Sequence, residues 1–242
     1  DFVERVRLLT GKPVGLKMVV RTPSEVDELC REIRKRGDGP DFIAVDGNEG
    51  GSGAAPLALA DYVGLPVADA LIAVDNALRR QGLRNDIALI AAGKIATGGD
   101  VATHLALGAD LVHIGRGFLF SIGCIQALRC HTNTCPTGVT TQNKWLQSGL
   151  DPTEKPVRLP NYALALERDL QMVTHACGLR HPSHFQCGHV VMNISPGVRK
   201  SLADLFPYPT NQFDTARRTL RSPRETSSSH GHALQIETLV SK

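Results

Sequence analysis

Four times between residues 13 and 130 a short apolar run is followed by a stretch with helical spacing, and no other feature of the chain restricts its fold as strongly. "PVGLKMVV" is a β-branched apolar run. "RTPSEVDELCREIRKRG" after it carries apolar residues at helical intervals, with Thr22 as N-cap, Pro23 in the first turn and Glu25 closing a capping box. "PDFIAVDG" is a second strand, followed by the Gly-rich loop "NEGGSGAAP" and the helical pattern "PVADALIAVDNALRRQGLRN". "IALIAAG" leads through "KIATGGD" to a short helix, "VATHLALG", and "ADLVHIGR" is the fourth strand, with "GFLFSIGCIQALRC" as the helix or loop after it. Near-continuous apolar strands separated by helices predict an α/β fold whose parallel sheet is buried on both faces. Four βα units are half of a (βα)8 barrel, which takes about 250 residues. Doubly wound sheets share the alternation, so the pattern alone leaves both architectures open.

The composition narrows the function classes. With 242 residues, 42% hydrophobic and 21% charged, the chain has the profile of a globular protein with a sizeable core. The net charge is +3, with Lys and Arg dispersed among Asp and Glu, so nucleic acid is not the expected partner. No apolar run is long enough for a membrane span, and "DFVERVRLLTGK" has neither the cationic nor the apolar region of a signal peptide. Six cysteines are too few and too unevenly placed for a disulfide scaffold, which points to a reducing, cytoplasmic setting. The chain begins at Asp1 without Met, and an N-terminal part is expected to be missing.

In a βα architecture functional groups gather at the C-terminal ends of the strands, and here those places are rich in Gly and polar residues. "AAGKIATGGD" brings Gly93, Lys94, Gly98 and Gly99 after the third strand, and "HIGRGF" brings Gly115, Arg116 and Gly117 after the fourth. Either loop alone is as readily a tight turn; as a pair one βα unit apart they favour a bound phosphate. Lys17 interrupts an apolar strand, where an unpaired ammonium is costly. It is either a snorkelling edge lysine or a cation aimed at an anionic cofactor or substrate. Asp46 and Glu49 follow the second strand with Gly47, Gly50, Gly51 and Gly53; this is turn chemistry, or a backbone that passes close to a ligand.

"GCIQALRCHTNTCPTGV" spells C-x5-C-x4-C with Cys124, Cys130 and Cys135, and Pro136 follows the last thiol. The spacing differs from zinc fingers and ribbons and from both ferredoxin patterns. Three local thiolates suit a cluster with three irons, or a site completed by Cys177, Cys187 or His131. The alternative is a set of buried structural cysteines.

These residues together resemble a known family. "GLKMV", "DFIAVDGNEGGSGAAPL", "AAGKIATGGDVATHLALGADLVHIGRGF" and "GCIQALRCHTNTCPTGVTTQ" resemble the flavin-binding domain of glutamate synthase, most closely the short stand-alone FMN-binding members, over residues 11 to 142 and weakly on to "LADLFPYP". The resemblance implies a TIM barrel of which this chain holds the C-terminal half. It also implies FMN, a 3Fe-4S cluster, and reduction of 2-iminoglutarate, from 2-oxoglutarate and ammonia or glutamine-derived ammonia, to L-glutamate. Carried over by position, Lys17, Asp46 and Glu49 are catalytic candidates. Lys17, Gly50, Gly51, Gly53, Gly93, Lys94, Gly115 and Arg116 are cofactor candidates, and Cys124, Cys130 and Cys135 are cluster ligands. The electron donor would be ferredoxin or an NADPH-linked subunit. The flavin subunit of an N-methylglutamate synthase shares the domain, and a truncated fragment with only an electron-transfer or structural role is the non-enzyme alternative. The division expected is a half barrel with its cysteine loop over 1–142, an irregular or helical extension packing on it over 143–209, and a disordered tail over 210–242. A half barrel exposes two sheet edges, so alone it is expected to be marginal or to associate with a partner, a homo-oligomer among the options.

Overall fold

The computed structural model describes residues 2–51, 53–56 and 58–209; the expected tail over 210–242 lies outside the described residues. In chain order the elements are α1 (Phe2–Thr10), β1 (Gly15–Val19), α2 (Pro23–Arg36), β2 (Phe42–Asp46), α3 (Val67–Arg80), β3 (Ala88–Ala92), α4 (Gly98–Ala106), β4 (Leu111–His113) and α5 (Arg116–Ser121). They continue with α6 (Lys144–Gln147), α7 (Lys155–Ala176), β5 (Val191–Ser195), β6 (Val198–Ser201) and α8 (Leu202–Leu205). Strands β1 to β4 form a parallel sheet in the order β1-β2-β3-β4, and β5 and β6 form an antiparallel hairpin. Spatial order that follows chain order, with no reversal, is the winding of a barrel segment rather than of a doubly wound sheet, which turns back at a switch point. The fold is therefore α/β with the arrangement of a partial barrel, four βα units long.

The two faces of the sheet have different chemistry. Val20, Ile43, Val45, Leu89 and Ala91 point to the helices and are fully buried against Val26 and Cys30 of α2 and Leu71, Val74 and Leu78 of α3. The other face carries the alternate residues Lys17, Val19, Ala44, Asp46, Ile90, Ala92, Leu111 and His113, placed on common rungs by the register. Burial on both faces holds for β2 and β3 but not for β1 and β4, whose Val19 and Leu111 are 48% and 56% exposed. The cause is position: β1 and β4 are the edges, and their outer sides carry no strand partner among the described residues.

Local signals held in part. Thr22 is the N-cap of α2 and Pro23 opens it, but the capping box is not made, because Glu25 pairs with Arg21 instead of returning to the N-cap. The box forms at α4, where the Thr97 hydroxyl accepts from Asp100 N at 3.1 Å and the Asp100 carboxylate accepts from Thr97 N at 2.9 Å. At the opposite end of the sheet, Asp75 (1% exposed) pairs with Arg79 at 2.6 Å and with Arg84 at 2.5 Å, and Arg84 reaches Asp110 at 3.1 Å. Asp110 also accepts from Leu89 N at 2.8 Å, so the network fastens α3 to the starts of β3 and β4. Helix α7 lies over α4 and α5: the Tyr162 hydroxyl donates to Ala96 O at 2.6 Å, and its ring meets Phe118 edge to face at 5.0 Å.

Candidate functional site

The C-terminal ends of the four parallel strands open onto one cavity of about 410 Å³. Its floor is the sheet face opposite the helices, with Lys17 of β1, Asp46 of β2, Ala92 of β3 and His113 of β4. Its walls are loops: Gly50, Gly51 and Gly53 after β2, Gly93 and Lys94 after β3, Gly115 and Arg116 after β4, and the segment bearing Cys124, Cys130 and Cys135. Among the catalytic, cofactor and metal candidates, Glu49 alone stands outside this lining.

Lys17 Nζ lies 2.9 Å from Asp46 Oδ2, with the Lys17 side chain 59% exposed and that of Asp46 only 11%. The strand lysine is thus neither buried nor unpaired, and its ammonium belongs to the cavity. A Cβ on Gly50 would collide with the Asp46 carboxylate, so this glycine leaves room for the acid. Gly47 does the same for Glu49, whose carboxylate oxygens accept from Val67 N at 3.0 and 3.1 Å. Val67 begins α3 and its N-cap is Pro66, which has no side-chain acceptor; Glu49 supplies the missing anion at that helix end.

The two phosphate-type loops differ from each other. Gly93 has φ +144° and Lys94 φ +46°, a turn that aims the Lys94 ammonium along the cavity rim, 3.0 Å from Asp61. Gly115 has ordinary dihedrals, φ −97° and ψ −63°, and a Cβ there would meet nothing within 4 Å. Among the described residues neither conformation nor packing requires glycine at 115, so the space over it is open to a ligand. Gly98 and Gly99 do not line the cavity. Gly98 is pressed against Asp169 and Leu170 of α7, and the Ala96 and Thr97 amides are already occupied by Asp100 at 3.1 and 2.9 Å. The capacity for an anion therefore falls on Gly93–Lys94 and Gly115–Arg116. Arg116 also donates from Nη2 to Gly50 O at 3.3 Å and Gly51 O at 3.2 Å, tying the loop after β4 to the loop after β2.

The three clustered thiols share one wall. Cys124 Sγ accepts from Gln126 N at 3.4 Å, and Cys135 Sγ lies 3.5 Å from Thr137 Oγ1. Burial opposes ionisation of Cys135, but the polar groups of Thr137 and Thr140 around it outweigh that and bring the thiol down to about 6. Thr140 Oγ1 is buried and has no hydrogen-bond partner of good geometry. In contrast, burial pushes the Cys30 thiol in the helix layer up to about 11, as expected of an inert core cysteine. Among the described residues no three Cys, His, Asp or Glu side chains converge closely enough to hold a metal ion. The suggested fourth ligands do not line the cavity: His131 and Cys177 are exposed, and Cys187 is buried and donates to Ala106 O at 3.1 Å. His113 is a cavity residue not singled out from the sequence, although a polar residue at the last inward position of a βα strand is a usable signal. No described helix is long and apolar enough to cross a membrane.

Residues 1–180 match the family model described as the conserved region in glutamate synthase. The glutamate synthase large subunit-like protein YerD of Bacillus subtilis is 47% identical over 197 residues, covering 81% of this chain and 38% of its own length. The archaeal glutamate synthase (NADPH) of Methanocaldococcus jannaschii is 40% identical over 139 residues, covering 57% of this chain and 27% of its own. The glutamate synthase (NADPH) large chain of Azospirillum brasilense is 34% identical over 167 residues, or 69% of this chain and 11% of its own. The chain thus spans well under half the length of these relatives.

Proposed function

This chain belongs to the family defined by the conserved region of glutamate synthase, and from that premise we propose that it forms part of a flavin-dependent oxidoreductase centre that makes L-glutamate from 2-oxoglutarate and ammonia. One observation carries the reading. Two phosphate-type loops, a strand-end lysine and a run of three cysteines, separate in the sequence, line the same cavity.

The residues fit FMN by their chemistry. The open space over Gly115 and the cations of Lys94 and Arg116 suit a phosphate, and Lys17 suits the electron-rich edge of a reduced flavin ring. The fit to a 3Fe-4S cluster rests on thiol character. All three thiols line the one cavity, and the buried Thr140 hydroxyl, which has no partner of good geometry, would find its acceptor in a thiolate or sulfide. When bound, FMN would supply hydride transfer and the cluster single-electron transfer. The chain's own part is placement and charge. Asp46 holds the Lys17 ammonium at the cavity floor, Glu49 fixes the loop by capping α3, and Arg116 fixes it from the other side. A substrate with two carboxylates needs cationic partners, which Lys17 and Arg116 provide within one cavity. Ferredoxin or an NADPH-linked subunit would deliver the electrons, the second in keeping with the NADPH in the relatives' names.

The test is product analysis. The full chain, prepared anaerobically and reduced with dithionite, should convert 2-oxoglutarate and ammonia to L-glutamate. Bound flavin with no glutamate formed would contradict the assignment, and preferential formation of N-methylglutamate from methylamine would move the protein to the related synthase.

A further inference from the structure

In the loop after β2, the missing side chain of Gly53 makes room for the cysteine wall. A Cβ at this position would lie 2.7 Å from Cys130 Sγ and 3.3 Å from Leu128 Cα. The missing side chain leaves the space that the Cys130 sulfur occupies. On the other side of this contact, the cysteine segment is under tension. Leu128 holds φ +56° and Gln126 φ +57°, left-handed values that branched or bulky residues avoid and that persist only when surrounding structure imposes them. The Gly-rich loop stands beside Leu128 at Gly53, and that loop is anchored in turn by hydrogen bonds from Arg116 Nη2 to the carbonyls of Gly50 and Gly51.

We infer that Gly53 and Arg116 are positioning residues for Cys130: the loop after β2 acts as a strap, pinned by Arg116 at one end, that sets where the Cys130 sulfur stands through close contact at Gly53. The inference rests on the proposed role of Cys130 as a cluster ligand and adds to it. It assigns Gly53 to the metal side of the cavity, through the space it leaves for a sulfur, and it links the strand-end loops to the cysteine wall mechanically. Residues that orient metal ligands without touching the metal typically change affinity by about 10- to 100-fold when altered.

The experiment uses the full chain, expressed and purified anaerobically, as wild type and as Gly53→Ala. Iron per chain, the low-temperature electron paramagnetic resonance signature and FMN per chain are measured. If the wild type carries neither iron nor flavin, the functional reading itself fails. With a loaded wild type, the iron affinity of G53A should fall by about ten-fold or its resonance signature should change. Wild-type iron content and signature in G53A would overturn the inference. If G53A does not accumulate as a folded protein, Arg116→Lys decides. It keeps the positive charge, but its shorter side chain loses the Nη2 hydrogen bonds to Gly50 O and Gly51 O, so an altered iron signature is expected, and an unchanged one would overturn the inference.

Discussion

Lys17 Nζ stands 2.9 Å from Asp46 Oδ2, joining the second-last inward position of β1 to the last inward position of β2 across neighbouring rungs of the sheet. The pair leaves a cation at the cavity floor that is half open to solvent, held by a carboxylate that is nearly buried. Because the lysine is exposed, Lys17→Met should change stability by no more than about 1 kcal/mol. Its effect on a bound anion should be larger: a lost hydrogen bond to a charged group, about 1.5–3 kcal/mol, weakens flavin binding by roughly 10- to 100-fold. Fluorescence titration of FMN beside a thermal melt separates the two effects.

Gly98 and Gly99 read alike in the sequence and are predicted to behave differently. A Cβ on Gly98 would stand 2.7 Å from the carbonyl carbon of Asp169 and closer still to Leu170 N, so Gly98→Ala should force α4 from α7 at a cost of about 1–3 kcal/mol. Beside Gly99 the nearest atom is Thr97 Oγ1 at 3.8 Å, and Gly99→Ala should be neutral or stabilising by up to about 1 kcal/mol. Since Gly99 does not line the cavity, G99A should also leave FMN affinity unchanged. Urea denaturation and a flavin titration on both variants check this contrast.

The Asp75 network should be the most sensitive polar site away from the cavity. Asp75→Asn preserves the volume but leaves the largely buried Arg84 and Arg79 without their shared acid. Removing one partner of a buried ion pair costs about 3–5 kcal/mol. A shift of the urea midpoint of that size, with an unchanged slope, is the expected result.

Acid should weaken the start of α4 through Asp100. Partial burial disfavours its charged form, but interactions with the Thr97 side chain and the Ala96 and Thr97 amides prevail and lower its pKa below the ordinary 3.8. A carboxylate whose folded pKa is depressed contributes stability that is fully present above the ordinary value. That contribution is lost as pH falls through the folded pKa beneath it. Asp100→Ala should therefore cost about 1 kcal/mol at neutral pH, as for other lost caps. The difference from wild type should shrink below about pH 4, measured by denaturant titration across pH.

What could be read from the sequence was set by local periodicity and by residues out of keeping with their surroundings. The four βα units follow from apolar spacing, and Lys17 within "GLKMV" stood out because a charge in a strand needs a reason. What could not be read depends on groups far away in the chain. Glu49 carries the same turn chemistry as Asp46, and only the fold shows that it caps α3 while Asp46 faces the cavity. Gly98 looked like a phosphate glycine because its true neighbour, α7, lies some 70 residues onward. Thr22 and Glu25 had the capping-box spacing, but Arg21 offered Glu25 a charged partner. The box at Thr97 and Asp100 lay hidden in "ATGGD", where two glycines suggested a loop.

The central claim is that one cavity holds a flavin beside three cysteine ligands. The most direct measurement is the visible absorption spectrum of the full chain, purified anaerobically, together with its iron content. The account predicts flavin bands with broad iron–sulfur absorption beneath them, and Cys130→Ala removing the iron signal while flavin remains. A colourless protein without iron, or a C130A variant whose iron is unchanged, would contradict it.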